Sequence, residues 1–298
     1  MNTGADTTDT FAAPLPARPP SSRVWRRLRD DRWGLFGLLL VLGYFGISLA
    51  VWSGMAGQDW SAASGGRWQP VSAEYWFGTN VLGQDIFQRS LYSVRVAFEI
   101  GLLVAATSTL LGALLGALAG WRSGSAADDA VLFVAGVLDS IPFYLFVAAV
   151  AFAMRGNPWA MHFAMVATFW TTTCRLVRAE VMRLKSREFV QSALALGLSA
   201  PRTVLRHVLP NTVHVLLAQG AIVIVAAIKA EVILSFLGLG VHDGVSWGLM
   251  LAESTQEVLA GRFNNLLAAS LPLFGILLGF NLVADALQDA LDPRATPA

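Results

Sequence analysis

Long apolar runs alternate with short polar breaks along this chain. Six runs are long enough to cross a bilayer, whose core of about 30 Å takes roughly 20 residues of helix. They cover about residues 33–53, 97–121, 130–154, 159–177, 213–237 and 264–285. The fourth is the least apolar, because its "TFWTTTCR" is rich in Thr, whose hydroxyls can bond back to helix carbonyls. The pattern predicts an all-α polytopic membrane protein with six transmembrane helices. One stretch breaks the pattern. "EFVQSALALGLSAPRTVLRHVLPN", residues 188–211, is a polar-edged island with basic flanks.

Inside the island, Phe189, Ala193 and Leu196 fall at i, i+4 and i+7, which predicts one helix over 188–196. Gly197 stands where a C-terminal cap belongs. Ser199 offers a cap oxygen, and Pro201 fits the first turn of a second helix. Val204, Leu205 and Val208 give that helix its own stripe, and Pro210 is expected to stop it. The island therefore reads as helix, Gly turn, helix, lying against the membrane surface. The residues alone leave two readings open: an interfacial loop with no partner, or a hairpin that docks into a cleft on another protein.

Composition and charge narrow the class. Charged residues make up 14% of the 298 positions, against about 25% in soluble domains. A net charge of +1 gives no field for nucleic acid. Cys174 is alone, so no internal disulfide or Cys metal cluster is expected, and His162, His207, His214 and His242 lack metal-ligand spacing. The first 22 residues read as a disordered tail, and the cluster "RVWRRLRDDRW" is a basic membrane-entry signal. With the N-terminus inside, the cytoplasmic segments hold 15 Lys and Arg and the outer ones five, and Lys229 falls within a span. The bias predicts both termini in the cytoplasm, with the island facing it too. The expected organisation is a disordered basic tail (1–32), a first span (33–53), an extracytoplasmic segment (54–96), a core of five spans (97–290) with a cytoplasmic loop at 180–212, and a tail (291–298).

Several residues within the runs carry candidate chemistry. Gly112, Gly116 and Gly120 form one flat helix face, read as packing within the subunit ahead of a subunit interface. Asp139, Lys229 and Glu231 are candidate pathway residues, because charge in a bilayer usually faces a pathway or a partner. The plainer reading of Asp139 is a helix-terminal or interhelical hydrogen bond near Pro142, and that of Lys229 is snorkelling. Lys229 and Glu231 point roughly 160° apart on a helix and are not expected to pair. Asp285, Asp289 and Asp292 are expected to contact basic residues of a neighbouring loop.

The island resembles the EAA loop of ABC-importer permeases, E-A-A-x-x-x-G followed after a spacer by a hydrophobic residue and L-P. It reads Gln191-Ser192-Ala193, Gly197 and Leu209-Pro210, with Ala195 between, so Gln and Ser replace the Glu and first Ala. "RHVLPN", "FGTNVLGQDIFQRSLYSVRVAF", "LDSIPF", "RLVRAEV", "LSFLGLGV", "SWGLML" and "FNLVADALQDALDPR" are similar to the dipeptide/oligopeptide/nickel branch, from about residue 76 onward. Asn80 and Gln84 depart from it, standing where an acid and an Arg are usual. The resemblance implies an ABC type I importer permease fold in the inner (plasma) membrane. It implies a second homologous permease, an extracytoplasmic solute-binding protein, and two ABC ATPases that bind ATP and Mg, with no cofactor in this chain. It makes Gln191, Ser192, Ala193, Ala195, Gly197, Leu209 and Pro210 the ATPase-coupling residues. Di- and oligopeptides are the expected cargo, with nickel or another small solute as the alternative. A membrane enzyme would want paired Asp, Ser/His or HExxH within the spans, and a secondary transporter would show internal repeats. Neither appears. The chain also lacks the GxxxxGK[ST] of an ATPase.

Overall fold

The computed structural model describes residues 31–154, 157–240 and 244–291. The tails expected at 1–32 and 291–298 fall outside these residues except at 31, 32 and 291, and so does Asp292. Among the described residues every regular element is a helix, with a single isolated bridge, Thr79 to Asp85, outside the helices.

Helix α1 (Arg32–Trp52) begins at Asp31, whose carboxylate accepts from the Trp33 N–H. Helix α2 (Ile86–Trp121) is 36 residues long and begins well before the apolar run at 97. Asp85 sets that start by accepting from the amides of Phe87 and Gln88. Residues 86–96 of the expected outer segment are thus helical, and the irregular stretch runs from Ser53 to Asp85.

The third expected span is broken rather than straight. Helix α3 (Ala126–Ser140) and helix α4 (Phe143–Ala153) meet at 92°. Pro142 is the cause. It pushes Ile141 into extended backbone, φ −90° and ψ 128°, and the helix cannot pass through. Helix α5 (Ala160–Lys185) follows, extending the fourth span toward the island. The island holds α6 (Glu188–Ala195) and α7 (Ala200–Thr203), then a π-turn (Val204–Val208) that runs into α8 (Leu209–Phe236). Helix α9 (Trp247–Leu259) lies between the last two spans, and α10 (Asn264–Leu291) ends the described chain. Four helical stretches are long and apolar enough to cross a membrane, namely α1, α2, α7 through α8, and α10; the bent α3–α4 pair would be a fifth. Helix α5 has 26 residues, about 39 Å, enough to span by length but with fewer apolar residues.

The most extensive helix contact is between α2 and α5. A Cβ on Gly112, Gly116 or Gly120 would sit 2.6, 2.4 or 2.6 Å from the carbonyl oxygens of Trp170, Cys174 and Arg178 respectively. The glycine row is therefore packing within the subunit, as the sequence reading put first. Cys174 and Val177 are fully buried there. Asp128, at the start of α3, is clamped by Arg178 of α5 at 2.6 and 2.7 Å and accepts from the Gly124 amide.

Contacts sort the helix ends onto two faces. Gly34 of α1 abuts Ala286 of α10, and Lys185 at the end of α5 donates to the Trp121 carbonyl at the end of α2. The island joins this face. At the other face, Gly57 bonds to Gln88, Arg262 reaches the Trp68 carbonyl, and Asn264 that of Phe77. Large apolar side chains along α1, α3–α4 and α10, among them Leu39, Phe133, Leu145 and Phe274, are exposed, as a protein solvated by lipid requires.

Candidate functional site

The island folds as a hairpin on one face. Helix α6 ends in a left-handed Gly197, φ 84°, with the Gly197 amide bonded to the Leu194 carbonyl and the Leu198 amide to that of Ala193. Pro201 sits in the first turn of α7. Ser199 holds the N-cap position with extended backbone, but its hydroxyl makes no cap bond. Pro210 does not stop the helix. The chain widens into the π-turn, where the Leu209 amide reaches back five residues to the Val204 carbonyl, and continues as α8. The island is therefore rigidly continuous with a membrane span.

The buried face of the hairpin differs from the predicted stripes. Val190 and Val208 pack with Val177, Val181 and Leu184 of α5 and Ala113 and Ala117 of α2, and Ala193 and Thr203 are buried too. Phe189, Leu196 and Leu205 are instead exposed, at 42, 82 and 61%. Gln191, Ser192, Ala195 and Gly197 share that exposed side, and Gln191 donates to the Lys185 carbonyl. Of the seven predicted island residues, Ala193 alone faces the protein body, Leu209 is half-buried, and Pro210 is exposed.

The three candidate pathway residues do not converge. Asp139 accepts from Thr171 at 2.8 Å and pairs with Arg175 at 2.7 Å, an interhelical tie between α3 and α5. Glu231 is buried and receives hydrogen bonds from Ser235 and Ser246, joining α8 to the start of α9. Lys229 is exposed on α8 and forms no ion pair among the described residues. Asp285 and Asp289, also exposed, lack the expected ion pairs there too.

A second constellation at the opposite face was not singled out in the sequence. Arg89, almost fully buried, donates to Glu253 of α9 at 2.7 and 2.8 Å and to Gln84. The Gln84 carboxamide also accepts from Asn80 at 2.9 Å, so the two positions that depart from the resembled pattern still bond as a neutral pair. The Glu257 carboxylate accepts from the Val81 amide, and burial pushes its pKa up, against the opposing pull of that bond. This latch ties the 53–85 segment to α9. The signal lay in the sequence: an Arg near the head of a long apolar helix needs a buried acid, and Glu253 and Glu257 stand four apart on an amphipathic α9.

Comparison with known proteins assigns this architecture. The sequence is 31% identical over 280 residues to the dipeptide transport system permease protein DppC of Bacillus subtilis, covering 94% of this chain and 87% of that one. It is 30% identical to the oligopeptide transport system permease protein OppC of the same bacterium, covering 92 and 91%. It is 36% identical over 229 residues to OppC of Mycobacterium tuberculosis, covering 76 and 78%. Residues 112–297, which include the whole hairpin and the α2–α5 packing, match one transport family throughout. The chain belongs to the family of binding-protein-dependent transport system inner membrane components.

Proposed function

We propose that this permease is one of two homologous pathway subunits of an ATP-driven importer of di- and oligopeptides. An extracytoplasmic binding protein delivers the solute, and two ABC ATPases dock on the hairpin face. ATP and Mg belong to those ATPases; this chain performs no catalysis and holds no cofactor. Both termini and the hairpin lie in the cytoplasm, a placement supported by the 15-to-5 distribution of Lys and Arg. The peptide cargo is supported by the names of the relatives above.

The observation that carries the docking role is the exposed apolar edge Phe189, Leu196 and Leu205, raised on a hairpin whose other side is packed on α5. An apolar edge at a polar surface calls for a partner. Because the π-turn joins the hairpin to α8 without a break, a push on α6 is transmitted as rigid-body motion of α8 and α5. ATPase closure would thereby reorient the spans. The test is co-expression with the second permease and the ATPases, followed by reconstitution with the binding protein. The expected results are co-purification and ATP-dependent uptake of a labelled dipeptide. An assembled complex that hydrolyses ATP but moves no peptide contradicts the cargo; no association contradicts the docking.

A further inference from the structure

A cavity of about 190 Å³ opens at the face opposite the hairpin, between the outer part of α2, the head of α5 and Gly240 after α8. Among the described residues its wall carries one cation and one anion, Arg95 and Glu99, on successive turns of α2. Their nearest approach is 3.7 Å, an ion pair without a hydrogen bond. Among the described residues the Arg95 Nε–H is buried and has no hydrogen-bond acceptor, and the buried His162 ring has the Pro158 carbonyl as its hydrogen-bond partner, which leaves its other nitrogen open. Buried polar groups are nearly always satisfied, so the open Arg95 Nε–H and the open His162 nitrogen around one cavity point to an occupant. Tyr92 and Trp159 supply aromatic walls, with the Arg95 guanidinium 5.5 Å from the Tyr92 ring centre and His162 5.2 Å from the Trp159 ring.

We propose that this cavity is a solute-contact site for the zwitterionic ends of a short peptide. The charge arrangement selects the class. A free anion would meet Glu99, and a free cation would meet Arg95. A ligand carrying a carboxylate and an ammonium satisfies both, with Arg95 and His162 donating to the carboxylate and Glu99 accepting from the ammonium. A single water needs only about 10–15 Å³ of such space, so the cavity has room for a small zwitterion. Asp139 and Glu231 are hydrogen-bonded within the chain, whereas the Arg95 Nε–H at this cavity is not. The proposal rests on the peptide-importer reading and adds where the permease itself meets the cargo.

The experiment uses the assembled transporter in nanodiscs, without the binding protein, and a photoreactive dipeptide, alanyl-benzoylphenylalanine. Adducts are mapped by peptide mass spectrometry. The expected adducts fall within residues 92–100 or 158–162. Excess Ala-Ala should compete them away, whereas its C-terminal amide and its N-acetyl derivative should not. Arg95→Gln and Glu99→Gln should each lower labelling about tenfold, the loss of one charge-assisted hydrogen bond. Arg95→Lys and Glu99→Asp, which keep the charges, should retain most of it, so a folding defect is told apart by ATPase association in all four. Adducts elsewhere only, equal competition by the blocked peptides, or labelling indifferent to the charge removals would overturn the site. If the wild-type complex still takes up peptide in that case, the importer reading stands. If it takes up none, both fall.

Discussion

Replacing Gly116 with Ala tests the packing that carries motion through the subunit. The added Cβ would lie 2.4 Å from the Cys174 carbonyl oxygen and 3.0 Å from the Val177 Cβ. Ordinary contact begins near 3.4 Å, so α2 and α5 must separate by about 1 Å. The nearest atom is backbone, which cannot swing aside as a side-chain tip can. Overpacking of this kind costs about 1–3 kcal/mol, partly offset by the better helix propensity of Ala. Gly136→Ala on α3 is the control, because nothing lies within 4 Å of its Cβ. The assay is reversible unfolding of the purified protein in mixed micelles at rising SDS fraction, followed by Trp fluorescence. Gly116→Ala should lower the stability by about 1–3 kcal/mol, and Gly136→Ala should leave it unchanged or raise it. Equal effects within about 0.5 kcal/mol would refute the close backbone approach.

Arg89→Met should cost about 3–5 kcal/mol, because it leaves Glu253 without its partner; limited proteolysis should then cut the 53–85 segment, and an uncut segment contradicts the latch. Glu257 titrates in a predictable direction. Its folded-state pKa is raised by burial, so its contribution is full below the unfolded value and is lost as pH rises through the folded value. The SDS-unfolding free energy should accordingly fall as pH rises through the folded value in the wild type but not in Glu257→Gln. Asp139→Asn removes an ion pair whose side chains are 36 and 51% exposed, so stability should change by less than about 1 kcal/mol and peptide uptake should persist. Selective loss of cargo bearing a free ammonium would restore Asp139 to the pathway. Gly197→Asp meets no neighbour within 4 Å but must adopt φ 84°, so insertion should be normal while ATPase association weakens.

Periodicity located the helices because lipid exposure enforces long apolar runs, and it found the hairpin because Gly197 and Pro201 are local instructions. It failed where tertiary partners decide. The apolar run at 97 hid eleven earlier helical residues of α2, since Asp85 caps the helix and Arg89 is tolerated only beside Glu253 of α9. Pro142 in "LDSIPF" was legible as a breaker, yet its 92° bend was read through as a straight span. Pro210 predicts a stop because a Pro normally lacks room inside a helix, and the π-turn before it supplies that room. The stripe Phe189, Ala193, Leu196 was correctly spaced, but which flank is buried depends on Val190 meeting α5, a contact no single helix encodes. Arg95 and Glu99 gave no signal, because an i, i+4 pair usually marks a solvated face.

The central claim is that the exposed edge of α6 sits against an ATPase. Ala195→Cys in a Cys174→Ala background places one thiol on that edge; the native Cys174 is fully buried, and its removal leaves a single reporter. In the assembled complex, a Cys in the ATPase surface that receives α6 should form a disulfide with residue 195 in high yield, and a bulky water-soluble maleimide should label residue 195 only after the ATPases are stripped away. Free maleimide labelling within the intact complex, with no crosslink to the ATPase, would contradict the claim and leave the hairpin an unpartnered surface loop.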